Sequence, residues 1–248
     1  MQKLSAEKKE ALKKEVEVIA LRFRSEYSDI ANAPIPNSFM AAEELGFFVV
    51  SCPAPDKLSG MTMNIQDKSM IVVNSVHPLG RQNYSIWHEV YHWYTEDGQD
   101  ISLSNDVEYS ETEYKAELFA AEILMEKSIL KIHLNRLGYT SDAQLKFLKK
   151  EDIVKLQNIF QVSYKAILTR IISLTGRNDL GNRYAIASSQ SKIIDFNKLL
   201  GYSGNLEKGN LPKYISPSFF IYLENNLSKG RISKSYVNDL LKFVEEDF

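Results

Sequence analysis

The feature that most constrains this chain is a helix whose faces make opposite demands. In "RQNYSIWHEVYHWYTED", residues 81–97, Tyr84, Trp87, Val90, Tyr91 and Tyr94 recur at helical spacing and call for a hydrophobic core. The same segment carries His88, Glu89 and His92, including two of the four histidines in 248 residues. Residues i and i+4 of an α-helix share a face with Cβ atoms ~5–6 Å apart, so both imidazoles can be directed at one tetrahedral cation. Glu89 lies about 100° around the axis, beside such an ion rather than on it, where a carboxylate can accept a proton from water. Matches to H-E-x-x-H expected from this composition number on the order of a hundredth, so the motif reads as a zinc site.

A catalytic zinc site needs a third protein ligand and an open fourth position. A histidine six residues after His92 would meet the need in one class of zinc peptidase, but that position is Gly98. A carboxylate from a neighbouring helix is the alternative. In "EYKAELFAAEILM", 113–125, Glu113, Ala116, Glu117 and Ala120 fall on one helical face, with carboxylates first and small residues after them. Small residues let two helices approach closely. Glu113 can complete the metal sphere while Glu117, one turn on, accepts the remote N–H of a ligating histidine such as His88. The reverse assignment, with Glu117 as ligand and Glu113 as support, stays open.

Around these helices the pattern reads α+β and mostly helical. A long helix is expected over 6–28, with Leu12, Val16, Ile19, Ala20 and Phe23 as its apolar stripe, and a short one from Asn37 or Ser38 to Gly46. "FFVVS" at 47–51 and the two halves of "MTMNIQDKSMIVVN" about a turn at Gln66-Asp67-Lys68-Ser69 predict a small antiparallel sheet ahead of the histidine helix. A polar stretch follows at 99–110. Helices are then expected in "SILKIHLNRLG", "SDAQLKFLKK", "EDIVKLQNIF" and "SYKAILTRIISLTG". The pattern loosens from Asn178 and turns helical again in "PSFFIYLENNL" and in a Ser233-capped C-terminal segment.

Composition narrows the class. Apolar residues at 44% and charged residues at 25% are globular values, and a net charge of −2 gives no global attraction to nucleic acid or acidic membranes. One cysteine, Cys52, excludes an internal disulfide framework and fits a reducing compartment. The charged N-terminus has no secretory h-region, and no window reaches the length of a membrane span, so a cytoplasmic location is expected.

On "WHEVYH" at 87–92 and "EYKAELFAAEILM" at 113–125, the sequence resembles the ImmA/IrrE family of zinc metallopeptidases. "MIVVNSVHPLGRQNYSI" at 70–86 and "LQNIFQVSYKAILTRIISLTG" at 156–176 are similar to further family segments, so the resemblance covers roughly residues 10–177. It implies a thermolysin-like zinc core packed on the small sheet, with His88, His92 and Glu113 binding Zn²⁺ and Glu89 as the base. It also implies a protein substrate, such as a helix-turn-helix repressor. Three positions depart from the family pattern: Trp87 for a small residue, Glu117 for Asn and Glu126 for Pro. The expected organisation is a metallopeptidase-like domain over 1–140, a helix-turn-helix-like segment over 141–177 and a C-terminal region over 178–248 without an assigned role.

Zinc peptidase chemistry also calls for a donor to the developing oxyanion, and His77, Tyr84 and Tyr91 are the candidates near in sequence. An extended peptide could be held by strand addition to "MIVVN". In the helix pair over 150–176, Lys149, Lys150, Lys155, Lys165 and Arg170 are available for phosphates, so a DNA-binding or ligand-sensing regulator with a silent peptidase-like domain is the alternative; His133 reads as a helix-end residue.

Overall fold

The computed structural model describes residues 4–31, 33–65, 68–96, 111–242 and 244–245. The expected polar stretch at 99–110 and Gln66-Asp67 of the turn lie outside them. The elements run α1 (Ala6–Glu26), α2 (Ser28–Ala31), α3 (Ser38–Glu44), β1 (Phe48–Cys52), β2 (Gly60–Ile65), β3 (Lys68–Asn74), α4 (Leu79–Thr95), α5 (Glu111–Leu124), α6 (Lys127–Arg136), α7 (Lys150–Phe160), α8 (Tyr164–Thr175), α9 (Gln190–Leu199), β4 (Tyr214–Ile215), α10 (Ser218–Ser228) and α11 (Lys234–Lys242). The fold is α+β and mostly helical, as the sequence pattern predicts.

Local signals set most boundaries. The Ser5 hydroxyl accepts from the Lys8 amide at 3.2 Å and starts α1, and Asn37 caps α3 through the amides of Phe39 and Met40. The stripe Leu12, Val16, Ala20 and Phe23 is buried. Phe23 meets Trp87 of α4 and Phe119 of α5 at ring-centroid distances of 6.3 and 5.4 Å, so aromatic packing joins α1, α4 and α5 into one unit. Ala116 and Ala120, fully buried, let α5 lie close to α4.

The sheet is mixed, not wholly antiparallel: its order is β2-β3-β1-β4, with β1 parallel to β3 and the other two pairs antiparallel. Pro53 and Pro55 follow β1 and cannot donate to a ladder, so the chain does not fold straight back as a hairpin but crosses to the far edge before β2. Asn74 secures this crossing: its amide donates to the carbonyls of Ala54, Pro55 and Leu58 at 2.9–3.1 Å, and its oxygen accepts from Ala54 N and Val76 N. β3, which contains MIVVN, is therefore interior to the sheet and has no edge for a peptide. β2 is an edge strand, with no strand on its other side among the described residues.

Three features of the second half depart from expectation. "SDAQLKFLKK" holds only a 3-10 turn at Gln144–Phe147, where the Gln144 side chain accepts from the amides of Thr140 and Ser141. α9 forms within the stretch read as loose. β4 adds to the edge of β1, anchored by Ser216, whose hydroxyl accepts from Val49 N at 2.7 Å. Leu180, Ile193 and Leu206 are buried, and the Glu207 carboxylate accepts from Tyr164 N at the start of α8 and from Gln157 Nε2. Burial raises the Glu207 pKa above the usual carboxylate range.

Arg170 is not available for phosphates. It is buried, donates to the Met125 carbonyl at 3.0 Å and pairs with Glu122 of α5. The turn between α7 and α8 packs on Gly80 at the start of α4, where a Cβ would lie 2.6 Å from Ser163 N. No helix among the described residues is long and apolar enough to cross a membrane.

Candidate metal centre

α4 presents His88 and His92 on one face, and α5 lays Glu113 across them. His88 Nε2 and His92 Nε2 are 3.2 Å apart, His88 Nε2 and Glu113 Oε2 are 3.2 Å apart, and His92 Nε2 and Glu113 Oε1 are 3.4 Å apart. Bonds of ~2.0–2.1 Å to a tetrahedral ion require donor–donor edges of about 3.3–3.4 Å. The two imidazole nitrogens and the two oxygens of the Glu113 carboxylate thus lie at spacings close to such edges, and the residues present fit a divalent cation. Among the described residues they form one group whose ligand atoms all lie within 4.8 Å of one another.

The electrostatics agree with a site built for positive charge. Burial alone would lower the His88 pKa, but Glu113, Glu89 and Glu117 together outweigh it and hold it above the ordinary histidine value. Contact with His88 lowers the Glu113 pKa, keeping that carboxylate charged against a smaller opposing effect of burial.

Residues 42–171, just over half of the chain, match the family profile described as the IrrE N-terminal-like domain, of the M78 peptidases. The chain belongs to this family. Among curated proteins no match was found.

Within this member of the M78 peptidases, the fold accounts for two of the three residues that the sequence comparison singled out, Trp87, Glu126 and Glu117. Trp87 is fully buried against Phe23 and donates its indole N–H to Ser38 Oγ at 3.0 Å, so it fills a pocket between α1 and α3 without facing the donor cluster. Glu126 caps α6 by accepting from Ser128 N and Ile129 N at 2.9 and 2.8 Å. Glu117 is exposed and outside the donor group; its charge acts on His88 from a distance.

Glu89 follows His88 on α4 and is only 3% exposed. Burial pushes its carboxyl up to about 7, against the opposing pull of His88 and of a hydroxyl on β2. That hydroxyl belongs to Thr62, whose Oγ1 donates to Glu89 Oε2 at 3.1 Å. Gly60 lies alongside, and a Cβ there would be 3.2 Å from both Cγ and Oε1 of Glu89. Sequence reasoning missed Thr62 and Gly60. Strand alternation puts them on one face of β2, but only the order of the sheet shows that this face meets α4.

The three oxyanion candidates are placed elsewhere or already engaged. Leu79 begins α4 about 13 Å from His88 along the axis, and His77 lies beyond it, buried with Nε2 3.2 Å from the Asp56 carbonyl. Tyr91 is buried in the core against Phe119, at 5.5 Å between rings. Tyr84 lies one turn before His88, and its hydroxyl donates to the backbone carbonyl of Glu117. His77 and Tyr91 are thus held in packed positions, with the Tyr91 ring also 5.8 Å from the ring of His92.

Proposed function

We propose that this chain is a zinc-dependent endopeptidase. The observation that carries the reading is the clustering of His88, His92 and Glu113 within ligating distance of one another, with a buried carboxylate, Glu89, one residue along from His88 on the same helix. His88, His92 and Glu113 would hold the ion, which supplies Lewis acidity: it polarises a carbonyl and makes a neighbouring water easier to deprotonate. Two imidazoles with one carboxylate suit Zn²⁺. Glu89 takes the proton of the attacking water and returns it to the departing amine.

The substrate is a protein segment in extended form. Among the described residues β2 is an edge strand, and its inner face is the one that touches Glu89, so a peptide added to β2 would run past the donor cluster. Membership of the M78 peptidases, together with the ImmA/IrrE resemblance, supports an intracellular regulatory protein such as a helix-turn-helix repressor as that substrate. Zinc analysis and incubation with candidate repressors test the reading. Glu89→Gln is expected to keep stoichiometric zinc and lose cleavage by roughly 10³-fold or more, as removal of a general base does. A variant cleaving at the parent rate would reject it.

A further inference from the structure

Glu89 is a long side chain with three torsions, and a buried carboxylate needs partners that fix it as well as partners that satisfy it. Both come from β2. The Thr62 hydroxyl is 3.1 Å from Glu89 Oε2 and 3.4 Å from the Glu89 main-chain oxygen. Gly60, two residues earlier on the same strand face, is where Cγ and Oε1 pack; any side chain there would start 3.2 Å from both atoms. One oxygen is thus held by a hydrogen bond and the other lies over bare backbone.

We infer that Gly60 and Thr62 form a positioning device for Glu89: the hydroxyl orients the carboxylate, and the glycine makes room for it. The inference rests on the peptidase reading for its kinetic consequence, but the contact itself is independent of that reading. Because β2 is also an edge strand of the sheet among the described residues, the strand that would receive substrate is the strand that orients the base. A peptide pairing with β2 would stiffen the Thr62 position and with it the carboxylate. Binding and proton transfer are then coupled through two residues.

Thr62→Val replaces the hydroxyl by a methyl group of similar size, and Thr62→Ser keeps the donor. In the zinc-loaded protein Thr62→Val is expected to lower kcat roughly 10- to 100-fold, the scale of a misplaced catalytic group, with KM and chelator-competition zinc affinity unchanged. Thr62→Ser should recover most of the loss. In the zinc-free protein, infrared difference spectra should show the Glu89 carboxyl band, assigned by its loss in Glu89→Gln, shifted in Thr62→Val and in place in Thr62→Ser.

An unshifted band, or a parent-like kcat in Thr62→Val, would overturn the inference. So would equal loss of zinc and melting temperature in both Thr62 variants, which would mark the contact as merely structural. If the parent protein cleaves nothing, the peptidase reading fails by itself, and the infrared comparison alone decides whether Thr62 holds Glu89.

Discussion

Glu113 and Glu117 sit one turn apart on α5 and are chemically identical, yet only Glu113 joins the two imidazoles. Glu113→Ala should weaken zinc binding by orders of magnitude, and Glu117→Ala should have a small effect through the field at His88; chelator competition compares them directly. Both lie on one helical face, so their spacing left the assignment open and the family resemblance favoured Glu113. The distinction between them depends on where α5 crosses α4, which the aromatic contacts of Phe119 decide. Glu207 is a different case, a carboxylate inside the fold without a metal role. Its pKa is raised by burial, so the folded state binds the proton more tightly than the unfolded state does. The stability linked to that proton is present below the ordinary carboxylate range and lost as pH rises through the folded value. Glu207→Gln, which keeps an acceptor for Tyr164 N, should therefore gain melting temperature relative to the parent on going from about pH 4 to about pH 7.

At the scale of elements, the donor cluster depends on α4 and α5 keeping their separation, and α8 braces α5 from behind through Arg170. Arg170→Met should destabilise the protein by roughly 3 kcal/mol in urea denaturation, because it leaves the largely buried Glu122 without its partner. Adding Glu122→Gln should recover part of that loss. This contact also explains why a pair of helices with basic residues at suitable spacing need not be a DNA reader: the arginine points inward. α4 was legible because its periodicity, the break at Pro78 and Gly80 and the i, i+4 histidines are all local. α9 was not, because its start at Gln190 has no side-chain cap and Leu199 at its end is 79% exposed, which blurs the apolar stripe. β4 has two residues and no intrinsic signal; pairing with β1 defines it.

At the scale of the whole molecule, residues 178–216 belong to the same packed body as the donor cluster: they contribute Leu180, Ile193 and Leu206 to its interior, Glu207 to the start of α8 and β4 to the sheet. α10 and α11 bury none of their residues. A chain ending at residue 177 should lose cooperative thermal unfolding, whereas one ending at residue 217 should keep it together with zinc binding; circular dichroism and metal titration separate the two. The amino-acid order alone specified the helix pair, the two histidines and the residue beside them, and left Glu113 and Glu117 as alternatives, since helical spacing places neighbours three and four positions apart without help from the rest of the chain. It did not specify the sheet order, the strand that meets Glu89 or the inward turn of Arg170. Those depend on contacts between residues far apart in sequence, and period-two alternation names two faces of a strand without saying which one will find the helix.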